Sequence, residues 1–230
     1  MLYFVSALVL TAAYLLGSIS SSVLISKKIS GEDIRKSGSG NAGATNMLRV
    51  HGKGAGALTL LCDVMKGVIA VLLGILADSI VLASAPRDMS FFEANFLYGN
   101  LKYMAGVFAV LGHDFPIFFG FRGGKGIATS LGVMLMLDWK IGLIVAVVSV
   151  LIMIISRYVS LGSVIGAIAY PVAVIAFMAG RGEINWIYFL SAFVLGALAL
   201  IKHSKNIKRL LNGTENKLFE KKEAKESKGG

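Results

Sequence analysis

Seven apolar runs, at about residues 2–26, 54–77, 96–112, 126–138, 141–156, 160–180 and 185–201, constrain what this chain can fold into more than any other feature. With 56% of 230 residues hydrophobic and a mean hydropathy of +0.74, no soluble domain of this size could bury so much apolar surface. The reading is an all-α integral membrane protein of seven transmembrane helices. The third and fourth runs are short for a hydrocarbon core of ~30 Å, which takes about 20 helical residues. Glycine is frequent, at 27 residues, and proline rare, at 3, as suits helices packed closely through small side chains. Gly162 and Gly166, four apart in the sixth run, are expected to serve such packing.

The formal charge of +10 is explained by where the cations fall. Lys27, Lys28, Arg35, Lys36, Arg49, Lys53, Lys66, Arg122, Lys125, Arg157, Lys202, Lys205, Lys208, Arg209 and five tail lysines share one side of a seven-span layout. Only Arg87, Lys102, Lys140 and Arg181 fall opposite. The split predicts an outside N-terminus and a cytoplasmic C-terminus. Nucleic-acid binding is disfavoured, because basic and aromatic residues do not interleave on a polar face. Residues 1–26 carry no cation before Lys27, so they read as a retained first span rather than a cleaved leader. Residues 1–212 are expected to form the membrane domain, and 213–230 a polar Lys/Glu-rich cytoplasmic tail.

In this layout every unusual polar stretch lies on the cytoplasmic side. "SGSGNAGATNMLR" (37–49) joins the first two runs, and "GHDFPIFFGFRGGKGIATSLG" (112–132) joins the third and fourth. Smaller islands follow at "SRYVSLGS" (156–163) and "KHSKNIKRLLNGTENK" (202–217). A single glycine-rich loop can be only a turn; two of them with a His/Asn/Arg cluster on one side suggest a site. Successive backbone N–H groups in such loops form a concave anion site, and a following helix N-terminus adds positive potential. Arg49 adds a planar fork suited to bidentate phosphate contacts. Gly123, Gly124 and Gly126 flank Lys125, so backbone can approach a ligand beside a point charge.

Several chemistries are excluded. A nucleotide P-loop needs glycine five positions before its Gly-Lys pair and Ser or Thr after it. Phe119 and Gly126 fail that test around Lys125, and Met47 and Gly54 fail it around Lys53. There is no G-x-S-x-G elbow and no HExxH. The single cysteine, Cys62, rules out an internal disulfide, and His51, His113 and His203 lie far apart, so no metal site is expected. Asp63 and Lys66 share a helix face near the start of the second run, as a packing pair or as part of the site. His203 and Asn206 are likewise three apart, and together with the two loops read as site residues.

"GSGNAGATNMLR", "GHDFPIFFGFRGGKGIAT" and "HSKNIKRLLNGTE" together resemble the three signature segments of the bacterial membrane acyl-phosphate:glycerol-3-phosphate acyltransferase family, the PlsY type. The resemblance covers almost the whole chain in order and spacing. It implies a seven-helix enzyme of the bacterial cytoplasmic membrane that takes an acyl group from acyl phosphate and makes lysophosphatidic acid, without cofactor or metal. It implies that Ser39 and Arg49 are critical, and that Gly38, Gly40, Asn41, Gly43, Ala44, Thr45 and Asn46 shape a phosphate pocket. Lys125, with Gly123 and Gly124, would bind glycerol-3-phosphate. Ser163 matches a further binding serine, His203 and Asn206 complete the catalytic set, and Glu215 is a structural member. The external segment from about Asp78 to Tyr98 looks long for such a protein.

An acyl phosphate is a mixed anhydride with a good leaving group, so positioning and charge stabilisation carry the reaction, and positioning alone can supply ~7–11 kcal/mol. A direct attack without a covalent acyl-enzyme is expected, because Ser39 has no base beside it in sequence and Cys62 lies among apolar neighbours. His203 and the donor's own phosphate both remain possible proton acceptors. A transporter for a phosphorylated solute or lipid is the rival reading. A scaffold whose loops bind anionic head groups is another.

Overall fold

The computed structural model describes residues 2–83 and 98–218. Most of the external segment (84–97), Arg87 and the tail beyond Leu218 lie outside the described residues. Within them the chain is helices joined by turns. The helices are α1 (Leu2–Gly17), α2 (Ser21–Ser30), α3 (Ala44–Ala83), α4 (Leu101–Asp114), α5 (Ile127–Leu137), α6 (Trp139–Ser156), α7 (Val159–Arg181), α8 (Trp186–Lys202) and α9 (Ser204–Leu211). Short 3-10 turns lie at Ile34–Lys36, just before the first glycine-rich loop, and at Ile117–Phe119, inside the second.

The long helix α3 is packed by α1, α2, α4 and α5, while α6, α7 and α8 form the other half. The shared core runs through Val71, Val110, Val133, Val174 and Leu195. Small residues bring the backbones together. A Cβ on Gly17 or Gly112 would collide with the carbonyl of Ala109 or Tyr14 across the α1–α4 contact. Gly162 in α7 is held against the Ser149 carbonyl of α6 in the same way. Outward, α6 buries only Ile141, Gly142 and Val145, and leaves Ile154 and Ile155 67% and 82% exposed. A helix apolar all round with so little of it covered by protein needs lipid to cover the rest.

Four helical stretches are long and apolar enough to cross a bilayer: Leu2–Ser30, Ala44–Ala83, Trp139–Ser156 and Val159–Arg181. A fifth is added if Trp186–Lys202 is counted with Ser204–Leu211, to which it is bent by 61°. The remaining two apolar runs are α4, with 14 residues, and α5, with 11. At 1.5 Å per residue they reach only about 21 and 16 Å.

Two breaks depart from the expected runs. The first run is interrupted after Gly17, where the Ser18 hydroxyl bonds back to the Tyr14 carbonyl (2.9 Å), Ser20 is extended, and the helix restarts at Ser21. The helix that carries the second run, α3, begins ten residues before it, at Ala44, so the end of the first glycine-rich loop is helical. It leaves helical geometry at Gly52 (φ 85°, ψ −175°), a conformation natural only to glycine.

Candidate active site

The first loop is organised around Asn46, in the opening turn of α3 and 1% exposed. Its carbonyl oxygen accepts the Ser39 N–H (2.9 Å), and its amide faces the carbonyls of Asn41 (3.0 Å), Ser37 (3.1 Å) and Ile34 (3.3 Å). Gly38, at φ 62°, crosses directly over that side chain, where a Cβ would meet Asn46 Oδ1. Asn46 therefore pins the loop. Gly38, Ser39 and Gly40 are exposed, and Asn41, Gly43, Ala44 and Thr45 half-buried. The Gly43 carbonyl accepts the N–H groups of Asn46 and Met47, so the N–H groups of Ala44 and Thr45 stand at an open helix N-terminus. One turn on, Arg49 is exposed and its guanidinium makes no hydrogen bond to the described residues.

The second loop folds back on the end of α4: the Gly123 N–H reaches the Asp114 carbonyl (3.3 Å) and the Gly124 N–H the His113 carbonyl (3.1 Å). Two side chains tie it to the rest. Arg35 is gripped by Asp33 through Nε and Nη2 (2.7 to 3.1 Å), and its other nitrogen donates to the carbonyls of Phe119 (2.7 Å) and Arg122 (3.0 Å). That hydrogen bonding holds the Asp33 carboxyl below its usual range. Lys202, at the end of α8, donates to the Asp114 carbonyl (2.8 Å).

The third island supplies a hub. Glu215, 9% exposed, accepts hydrogen bonds from Asn206 Nδ2 (2.8 Å), Ser160 Oγ (3.1 Å) and Arg209 Nε (2.7 Å). Burial pushes its carboxyl up, but these three donors hold it below its usual value. With its amide nitrogen committed to Glu215, Asn206 turns its oxygen to Lys125, which donates to it. Lys125 is brought down to about 8, mainly by burial; Glu215 opposes the shift, and Arg209, Arg49 and Lys202 add to it. His203, 3% exposed, uses Nδ1–H to reach the Ala199 carbonyl (2.7 Å), which leaves the ring's lone pair on Nε2. Burial first, and Lys125 second, bring His203 down to about 4, so it is neutral across the physiological range.

An apolar cleft opens between α5, α6, α7 and α8, lined among others by Ile127, two residues after Lys125, and by Ala199, whose carbonyl holds His203. Its walls include Met134, Val145, Met153 and Leu195, and Ser163 is one of its polar members. Ser163 is buried, with its hydroxyl bonded to the Val159 carbonyl one turn back (3.0 Å).

The fold thus joins Lys125, His203, Asn206 and Glu215, with Arg49 close enough to act electrostatically on Lys125. Ser39 belongs to the exposed rim, where its N–H is held by Asn46 rather than by any of these four residues. Cys62 is half-buried on α3. Among the described residues no three His, Cys, Asp or Glu side chains converge as metal ligands. Arg35 and Lys202 read in the sequence as topological cations, and their bracing of the second loop goes unseen there. The one local hint was the Asp33-x-Arg35 spacing.

The family model for glycerol-3-phosphate acyltransferase matches residues 7–213. A glycerol-3-phosphate acyltransferase of Clostridioides difficile (strain 630) is 45% identical over 216 residues, 94% of this chain and 97% of that protein. One of Thermoanaerobacter sp. (strain X514) is 43% identical over 220 residues, 94% and 98% of the two chains. Among solved structures, PlsY (YgiH), an integral membrane glycerol 3-phosphate acyltransferase, in its glycerol 3-phosphate form aligns with a TM-score of 0.71 at 35% identity, covering 93% of this chain and 95% of that one. Its lysophosphatidic acid form aligns equally well, at 34% identity.

Proposed function

Since the chain belongs to the glycerol-3-phosphate acyltransferase family, we propose that it is a membrane acyltransferase that moves an acyl group from acyl phosphate to glycerol-3-phosphate. One observation carries the reading: Lys125, Asn206, His203 and Glu215 form one hydrogen-bonded and electrostatic cluster against an apolar cleft, with Arg49 in range. Lys125, Gly123, Gly124, Ser163 and Asn206 orient the acceptor, and Lys125 holds its phosphate. The loop from Gly38 to Asn46, with Arg49, holds the phosphate of the donor. The acyl chain lies in the cleft between α5 and α8. His203 Nε2 takes the proton of the attacking hydroxyl as the new oxygen–carbon bond forms. The acyl carbon–phosphate oxygen bond then breaks, phosphate leaves, and the proton returns through His203 to the solvent or the departing phosphate. The donor is already activated, so no covalent acyl-enzyme is needed.

The test is direct. Purified protein given acyl phosphate and radiolabelled glycerol-3-phosphate, without CoA or added metal, is expected to yield labelled lysophosphatidic acid. Uptake of label into vesicles without acylation would mark a transporter instead.

The same reading sets the protein in the bacterial cytoplasmic membrane as seven spans, N-terminus outside, with the polar loops, residues 213–230 and the active site in the cytoplasm. The uneven division of cations supports it, and the short helices α4 and α5 are accommodated by local thinning of the bilayer. In a Cys62→Ala background, cysteines introduced at Ser37 and Lys205 are expected to react only from the cytoplasmic side. Labelling of either from outside refutes the layout.

Arg49→Lys keeps the charge but loses the planar fork. A charge-assisted contact is worth about 1.5–3 kcal/mol, so kcat/KM for acyl phosphate is expected to fall at least about tenfold. Near-normal kinetics would remove Arg49 from the donor site.

A further inference from the structure

Beneath the second glycine loop lies a group of buried polar side chains to which no step above assigns a role. Lys66 of α3 is 4% exposed, Asp63 one turn earlier 2%, and His113 at the end of α4 7%. The Lys66 ammonium has three N–H bonds and three acceptors around it: Asp63 Oδ1 (3.0 Å), the Ile19 carbonyl freed by the α1–α2 break (3.2 Å), and His113 Nδ1 (2.7 Å). Ser21, at the start of α2, donates a further hydrogen bond to Asp63 Oδ1 (3.3 Å). An ammonium can only donate, so His113 Nδ1 is the acceptor and the ring proton sits on Nε2. The tautomer and tilt of the ring are therefore set from α3.

The other side of that ring faces the phosphate loop. A Cβ on Gly124 would collide with His113 Nε2, and one on Gly123 with the His113 carbonyl. The same carbonyl accepts the Gly124 N–H. His113 thus fixes the path of the two residues immediately before Lys125, through its backbone and its ring edge. The helix break at Ile19, the ion pair on α3 and the loop form one continuous support.

We infer that Asp63, Lys66 and His113 are positioning residues that hold the Gly123–Lys125 segment in the shape that binds the phosphate of the acceptor. The inference rests on the acyltransferase reading for the identity of that acceptor. The three residues touch no substrate, so their signature is selective: they govern the acceptor phosphate far more than the donor loop, which meets Gly124 at the Ala42 carbonyl but is pinned from within by Asn46.

The double variant Asp63→Asn/Lys66→Met removes both charges together, so no unpaired ion is left in the interior. It is expected to raise KM for glycerol-3-phosphate at least tenfold while KM for acyl phosphate stays within twofold. His113→Phe keeps the ion pair and the main-chain contact to Gly124 but removes the ring's bond to Lys66, and is expected to do the same. Combining the changes should be far from additive, because both break one linkage. A merely structural role would instead lower the rate with the folded fraction and leave both KM values unchanged, which would overturn the inference. Calorimetric binding of glycerol-3-phosphate separates the two readings. Equal binding by wild type and by both variants overturns the inference and leaves acyl transfer standing. Wild-type protein that binds glycerol-3-phosphate tightly, at least tenfold more than the variants, but never acylates it sinks acyl transfer and supports the inference.

Discussion

Replacing Lys125 by methionine is expected to lower kcat/KM for glycerol-3-phosphate by two to three orders of magnitude, about 3–4 kcal/mol of transition-state stabilisation. The side chain is half-buried and aimed by an asparagine that is itself aimed by a glutamate, so its charge is held in one place. The wild type carries a second signature. Below about 8 the amine is a cation that attracts the phosphate; as pH rises through that value the charge is lost. kcat/KM, which reports the free enzyme, should therefore decline on the alkaline side with an apparent pKa near 8. Lys125→Arg stays charged well above that pH and should move the decline upward while costing geometry. An unshifted alkaline limb in the arginine variant would assign the titration to another group.

The second large effect is expected at His203. Its Nδ1–H is committed to the Ala199 carbonyl, so only Nε2 can accept a proton. With its pKa drawn down to about 4 it is neutral wherever the reaction runs. His203→Gln should lower kcat by about 10²–10⁴ with little change in KM for glycerol-3-phosphate, because a general base acts only in the transition state. Any acid limb near 6 in the wild type belongs to the second ionisation of the substrate phosphate, and should persist in the variant. A fall of less than tenfold would hand the proton to the phosphate of the donor.

Transfer free energy explains what could be read from the chain. The apolar runs locate α6, α7 and α8 to within two residues, because burial in lipid or protein rewards the same side chains. Hydropathy is blind to φ and ψ, however. It ran through the break between Gly17 and Ser21, where every residue is small or apolar, and found α3 only from its resumption after Gly52, leaving the polar helical turns from Ala44 as loop. The three-residue spacing of His203 and Asn206 reads as one helix face, whereas the chain bends by 61° at His203 and carries Asn206 on α9. The braces were not legible. Arg35 reaches carbonyls 84 and 87 residues away, and Lys66 meets His113 47 residues on; such pairings follow from how helices stack and leave no periodic trace in one sequence.

Glu215 carries an implication for how the protein comes into being. Ser160, Asn206 and Arg209 are all translated before it, as is every helix among the described residues. Until that carboxylate emerges, Asn206 has no partner to orient it and Lys125 has no oriented oxygen to meet. A chain still on the ribosome can have its helices seated in the bilayer and its glycine loops formed, yet remain unable to acylate anything. A chain stopped just before Glu215 is accordingly expected to be inserted but silent.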